Sequence, residues 1–445
     1  MILPEGVLWI LNRLGAYETY LVGGCVRDAL RGEEVHDYDF CTSAKPDELL
    51  RVFSDCRTLT VGLQHGTVGV VREGKKYEIT TFRSDGKYED NRHPESVSFT
   101  SSIAQDLARR DFTVNAMAYH PSCGYIDPYG GREDLKKGIL RAVGDPDLRF
   151  REDALRILRG VRFASVCGFS VEKNTEAAML RQRGLIAHVS SERKYTELCG
   201  FLMGKHVTEA GLAHAQIIFA ALPALAPMYR FEQHSKYHVY DVWEHTMRAV
   251  GAGNQLPVRL TLLFHDSGKP ACYTSENGVG HFYGHAKISA KIARETLTDL
   301  KADKATAERV ESLVALHDHP VDGADEKRVK RLLSKIGEEA FLQLLEVKRG
   351  DAIAHAPFAC EGRLREIEGC LSLYRTIKEQ EQCFTLKQLA VNGNDLLALG
   401  LRGRQVGLVL RKLLSLVIEG NLKNERGELC DFVRKNKENF EGNID

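Results

Sequence analysis

The chain has no C-x-x-C pair, no excess of charge of either sign and no apolar run near membrane-spanning length. Its 11 cysteines, an odd number scattered from Cys25 to Cys430, argue against a disulfide framework and against a cysteine zinc site. Free thiols predict a reducing, cytoplasmic setting. Lys+Arg and Asp+Glu are equal at 61 each, so an RNA-binding face would have to come from local clustering and not from net charge. The opening MILPEGVLWILNRL carries an early acid and no basic leader, and reads as an amphipathic helix instead of a targeting segment or a membrane span.

What is present is a chain of 445 residues, 43% hydrophobic and 27% charged, long enough for two to four domains with a substantial core. From residue 17 to about 143, short β-rich runs alternate with helices: Thr19–Val22, a strand ending at Asp39-Phe40-Cys41, Thr67–Val71, Tyr77–Phe82, Met117–Tyr119 and Ile139–Val143. Beyond Asp145 helical periodicity takes over in LRFREDALRILRGVRFAS, EKNTEAAMLRQRGLI and SERKYTELCGFLMG. The proline-bearing LPALAPMYRF marks a boundary. We therefore expect an α+β fold: a small mixed-sheet head (1–144), an all-helical neck (145–225), a helical body (226–380) and a helical tail (381–445).

Residues 20–42, YLVGGCVRDALRGEEVHDYDFCT, place a phosphate-binding turn before an acidic pair. Gly23 and Gly24 let backbone N–H groups approach phosphates, and Arg27 offers a fork of donors. On a strand, Asp37 and Asp39 point to one face and can share a divalent metal. This order of strand, turn, short helix and acidic strand closely resembles the first motif of the class II tRNA nucleotidyltransferases, the CCA-adding enzymes, which reads close to LVGGxVRDxLxG followed by D-x-D.

The resemblance implies template-independent addition of C, C and A to the tRNA 3′ end from CTP and ATP, with Mg2+ as cofactor. It also implies a third carboxylate, which falls on Glu78 in YEITTFR. The polar stretch 82–99 resembles the family's flexible loop, whose presence favours addition of the complete triplet or of A alone. ARRDFTVNAMAYHP matches the second motif, RRDFTxNA, in full. Arg110, just ahead of a helix expected to begin near Asp111, is thereby assigned to nucleotide phosphate, with Asp111 and Asn115 near the ribose.

In REDALRILRGVRFAS, Asp153, Arg156, Arg159 and Arg162 recur every three residues, which puts them on adjacent turns if the segment is one helix. Cytosine and adenine each present an amine donor beside a ring-nitrogen acceptor, so a carboxylate and a guanidinium can read both. Uracil and guanine present the reverse, and an unpaired buried polar group costs roughly 1–3 kcal/mol. The family's EDxxR motif, present as Glu152 to Arg156, assigns the reading to Asp153 and Arg156, with Arg159 and Arg162 beside them.

The second half carries YHVYDVWEHTMRAV, LFHDSGKP, GHFYGHAKIS, VALHDHP and KRGDAIAH. Its imidazoles and carboxylates suit a divalent metal. The order H…HD…D, as His245, His265-Asp266 and Asp351, with His285 and His317 between, resembles the HD phosphohydrolases and implies a metal site and hydrolysis of 2′,3′-cyclic phosphates or other phosphoesters. The rival readings are a poly(A) polymerase or A-adding enzyme of the same superfamily, and an HD phosphohydrolase whose head only binds RNA.

Overall fold

The computed structural model describes residues 1–85 and 97–441, and the chain divides into two compact units, Met1–Ala226 with Asp299–Ala302, and Pro227–Thr298 with Asp303–Asp445. The first unit opens with helix α1 (Glu5–Arg13), whose Val7, Ile10 and Leu11 are buried. Strands β1 (Thr19–Val22), β2 (Asp39–Thr42), β3 (Arg57–Leu59), β4 (Thr67–Arg72) and β5 (Lys75–Thr81) follow, with helices α2 (Gly24–Leu30) and α3 (Pro46–Val52) between them. β6 (Arg83–Asp85) and β7 (Val97–Phe99) pair with each other as a two-stranded ribbon. These two strands are the ends of the predicted loop, and its centre, 86–96, lies outside the described residues. β8 (Ala118–His120) and β9 (Gly124–Ile126) complete a mixed seven-stranded sheet in the order β3-β4-β5-β2-β1-β8-β9.

One pairing in that sheet matters most for function. β2 runs parallel to β5, with Asp39 opposite Glu78 and Phe40 opposite Ile79. Because strand side chains alternate, Phe40 and Ile79 enter the core on one face while Asp39 and Glu78 share the other. Phe40 is 1% exposed and packs with Leu21, Val26, Leu49, Phe53 and Met117 beneath the sheet. The apolar face thus fixes the register, and the register brings the two acids together; a slip of one residue would bury both carboxylates.

The neck departs from the sequence reading. The expected helix over REDALRILRGVRFAS is two helices, α6 (Pro146–Glu152) and α7 (Leu155–Cys167), after α4 (Ile103–Ala108) and α5 (Gly131–Lys137). Asp153 sits at the break in extended geometry (φ −146°, ψ 104°) and accepts the backbone N–H of Leu155 at 3.0 Å. A short acidic side chain competes well for such a free helix-start N–H. No helix begins at Asp111 either: one 3-10 turn (Thr113–Asn115) leads straight into β8. The strand predicted at Ile139–Val143 shortens to β10 (Ile139–Leu140), paired with β11 (Ser170–Val171). Helices α8 (Lys173–Gln182), α9 (Ser191–Leu202), α10 (Val207–Ala213) and α11 (Ala215–Ala221) complete this unit. α7 is buried on nearly every side, and a side chain at Gly160 would strike Met179 and Phe112.

The second unit is helical apart from a β-hairpin, β12 (Thr274–Glu276) with β13 (Val279–His281). Among the described residues its helices are α12 (Val242–Ala252), α13 (Leu256–Phe264), α14 (Lys269–Cys272), α15 (His285–Asp299), α16 (Lys304–Leu316), α17 (Glu326–Ile336), α18 (Glu338–Ile353) and α19 (Pro357–Glu379), and then α20 (Gly393–Ala398), α21 (Arg404–Ile418), α22 (Arg426–Lys435) and α23 (Lys437–Glu441) in the tail. Among the described residues no helix is long and apolar enough to cross a membrane.

Phe40→Ala removes the side chain that sets the β2 register. It should cost about 3–5 kcal/mol, read as a lower denaturation midpoint for the first unit, whereas a midpoint unchanged from wild type would contradict this role.

Candidate nucleotidyl-transfer site and a candidate metal centre in the second unit

Asp39 starts β2, while Asp37 lies in the irregular run just before it, so only one of the expected pair is on the strand. Desolvation raises the Asp39 pKa from its ordinary value, and the negative charges of Glu78 and Asp37 add to the rise. Glu78 is held by Lys76 at 2.6 Å. Asp37, Asp39 and Glu78 do not close into a three-ligand set. Even so, crowded oxygen donors with a raised carboxylate pKa fit a hard divalent cation, whose charge would relieve the repulsion.

Beside Asp39 opens a cavity of about 480 Å³. Gly23 and Gly24 form one lip. Gly23 has φ +75°, a left-handed region that disfavours any side chain, and a Cβ there would lie 3.1 Å from Arg110 Nη1. Seven arginines and three aspartates line the cavity, a surplus of positive charge suited to a polyanion. The expected residues Arg27, Arg110, Asp153, Arg156, Arg159 and Arg162 all contribute to the wall, as do Asp39, Gly23 and Gly24; Asp37 and Glu78 do not.

Several of these residues have partners the sequence did not reveal. Arg27 is no open fork: its Nε and Nη2 donate to Asp28 at 2.8 Å, and Nη1 donates to Asn115 Oδ1 at 2.7 Å. Asn115 in turn donates to Asp111 at 3.1 Å, and Asp111 receives Arg159 Nε at 2.7 Å. Burial alone would raise the Asp111 pKa, but the Arg159 charge and hydrogen bond outweigh it and hold the group down at about 2. The fully buried Asp106 similarly holds Arg109 at 2.8 Å and Arg110 at 3.2 Å. Arg110 Nε is buried with no protein partner.

Asp153 and Arg156, the pair expected to read the base, are engaged by protein partners. Asp153 accepts Arg193 Nη2 at 2.7 Å, and Arg156 donates to Glu152 at 2.7 Å and to the Arg109 carbonyl at 2.8 Å. Arg162 donates to Glu197 at 2.6 Å. The guanidinium groups of Arg27, Arg159 and Arg162 lie 5.1, 5.3 and 4.4 Å from the Phe163 ring, which forms a cation–π floor. Phe163, Arg193, Glu197 and Asp106 were missed in the sequence. The available signal was charge arithmetic, since an arginine-rich buried helix needs carboxylates supplied by its neighbours.

Three family models match the chain. The Poly A polymerase head domain matches residues 19–141, the RNA and SrmB-binding site of polymerase A matches 168–228, and tRNA nucleotidyltransferase domain 2 matches 273–433. The CCA-adding enzyme of Streptococcus mutans is 32% identical over 439 residues, 97% of each chain. The chain belongs to the CCA-adding enzyme family. The CCA-adding enzyme of Geobacillus thermodenitrificans is 51% identical over 205 residues, so the match spans half of that relative's length. A crystal structure of the Bacillus stearothermophilus CCA-adding enzyme in complex with CTP superposes with a TM-score of 0.74 at 30% identity, covering 98% of each chain. Membership of the CCA-adding family implies dependence on a divalent metal.

The three family matches leave residues 229–272 uncovered, and within that gap lie His245, His265 and Asp266. Here the histidine-rich segments converge. His265 sits just past the end of α13 rather than within it. His245 Nε2 lies 2.9 Å from Asp351 Oδ1 and 3.4 Å from His265 Nε2, and His265 Nε2 lies 3.2 Å from Asp266 Oδ2. His285 and His317 join from the other side, with their Nε2 atoms 3.2 Å apart and 3.4 and 3.8 Å from Asp266 Oδ1. His355 makes a further three-residue group with His245 and Asp351.

In all four of His245, His265, His285 and His317, Nδ1 meets a backbone carbonyl, at 3.1, 2.7, 2.9 and 2.7 Å. That bond fixes the tautomer so that every Nε2 lone pair faces inward, the outer-shell arrangement of metal-binding histidines. A point equidistant from Asp266 Oδ1 and the two facing nitrogens is about 2 Å from each, a metal–nitrogen bond length. Imidazole and carboxylate donors of this kind fit a divalent transition metal.

Asp111, depressed to about 2, contributes stability that is present above the unfolded carboxylate pKa and lost as pH falls toward 2. Asp111→Asn should therefore be less stable at pH 7 and lose less stability between pH 5 and 2, by about 2–3 kcal/mol. Equal pH slopes in equilibrium unfolding of the two proteins would contradict the buried ion pair.

Proposed function

We propose that the chain adds C, C and A in turn to the 3′ end of tRNA, using CTP and ATP, with Mg2+ as the cation at Asp37 and Asp39. One observation carries this: a single cavity joins Asp39, the Gly23-Gly24 turn and Arg110 to Asp153 and Arg156, so the groups for transfer and for base choice border one nucleotide-sized space. A bound Mg2+ would lower the pKa of the primer hydroxyl and neutralise charge on the triphosphate.

In this reading Arg110, already held by Asp106, turns its unpartnered Nε toward the phosphates. Asp153 accepts from the exocyclic amine and Arg156 donates to the ring nitrogen, which requires each to loosen its hold on Arg193 and Glu152. Asp111, Asn115 and Arg159 form the fixed wall around the sugar. The CTP complex of the Bacillus enzyme supports CTP as a substrate.

Asp37→Ala and Asp39→Ala should each abolish incorporation of both nucleotides on a tRNA trimmed of its last three residues; substantial remaining activity would sink the assignment. Asp153→Ala and Arg156→Ala should incorporate UMP or GMP at rates approaching CMP, and unchanged selectivity in both would contradict the base-reading role. Limitless extension with ATP alone would point to the poly(A) polymerase alternative.

The converging imidazoles support a second reading of the other unit, metal-dependent phosphoester hydrolysis. His245, His265, Asp266 and Asp351 would hold one divalent ion, which would supply Lewis-acid activation of a water. His285 and His317 face the other oxygen of Asp266. The protein purified under metal-replete conditions should carry manganese, iron or zinc by elemental analysis. His265→Ala should lose at least half of it while keeping CMP incorporation; metal content equal to wild type would remove this reading.

A further inference from the structure

Asp351 separates two spaces. Its Oδ1 faces the imidazole cluster, 2.9 Å from His245 Nε2, and its Oδ2 accepts Arg363 Nη1 at 3.1 Å. On the Arg363 side lies a cavity of about 180 Å³ whose wall includes Asp351, His317, Lys348 and Arg363. His317 belongs to both spaces as well, since its Nε2 faces His285 while its residue borders the cavity. The cavity therefore adjoins the metal centre through two of its side chains.

Its chemistry is specific. Lys348 Nζ donates to the carbonyls of His317 and His319, both at 2.5 Å, which pins the turn after α16 that forms one wall. Lys348 is thus committed to structure. Arg363 is not: the contacts of its half-exposed guanidinium, to Asp351 and at 3.4 Å to His355 Nδ1, are both made by Nη1. An arginine fork held along one edge can present its other edge to two oxygens of one phosphoryl group. Asp318 and Glu366 also line the cavity. Their carboxylates accept from hydroxyl donors and repel further negative charge, so the wall favours a phosphate on a sugar over a polyphosphate.

We propose that this cavity is the substrate subsite of the second-unit metal centre, that it takes the monophosphate ester of a small sugar, and that Arg363 is the residue that binds its phosphoryl oxygens. The proposal rests on the phosphoesterase reading for its substrate but not for its test. Arg363 comes from α19, eight residues beyond His355, and the H…HD…D pattern gives no hint of it.

The test is calorimetric titration of inorganic phosphate into the full-length, manganese-loaded protein, with CTP present to fill the arginine cavity of the first unit. Wild type should bind phosphate. Arg363→Gln should bind at least tenfold more weakly with unchanged manganese content, and Arg363→Lys, which keeps charge but not the fork, should fall between. Equal affinity in wild type and Arg363→Gln, no binding by wild type, or loss of manganese from Arg363→Gln would each overturn the subsite. Hydrolysis of ribose 5-phosphate is read on the same samples. Arg363-dependent phosphate binding without hydrolysis would support the subsite while removing the phosphoesterase reading.

Discussion

The nucleotide cavity depends on a buried carboxylate meeting an arginine. Asp111 receives Arg159 and Asn115, Asn115 receives Arg27, and Arg27 and Arg159 rest with Arg162 against Phe163. Seven guanidinium groups around one cavity would repel one another and destabilise the fold if left unpaired. Buried acids beneath them, Asp106, Asp111 and Glu197, absorb part of that charge and fix where each fork points. What remains positive is the surplus that a triphosphate can satisfy. The site is therefore largely organised before substrate arrives, as electrostatic stabilisation of charge transfer requires.

Two residues stand apart from that rigidity. Asp153 is tied to Arg193 and Arg156 to Glu152, so the groups that would read the base are occupied by protein partners of matching chemistry. A cytosine or adenine offers replacement hydrogen bonds of the same polarity. Uracil or guanine would break the two ion pairs without restoring them, and in the proposed function that asymmetry is the source of discrimination. The break between α6 and α7 leaves Asp153 off the helix, at the rim of the cavity.

Much of this was legible in the sequence because it depends on local order. Thr19–Val22 and the helix through Leu30 lie where the strand and turn signals put them, and Glu78 is brought beside Asp39 by alternation in β5. The single helix expected over residues 151–165 is two, because a three-residue spacing of charges persists across a break that only the backbone reveals. Partner choice was also hidden. Arg193 lies 40 residues from Asp153 and Asn115 lies 88 from Arg27, and no pattern of neighbours records such pairings. In the second unit the ligand order H…HD…D was readable, while His355 and Arg363 enter only through the packing of α18 and α19 around Asp351.

In the proposed function the protein alone, without a nucleic-acid template, distinguishes bases by hydrogen-bond polarity. Calorimetric binding of CTP, ATP, UTP and GTP to the wild-type protein in the absence of tRNA tests it most directly. CTP and ATP should bind with similar affinity and at least tenfold more tightly than UTP and GTP, and four equal affinities would contradict base reading by the protein.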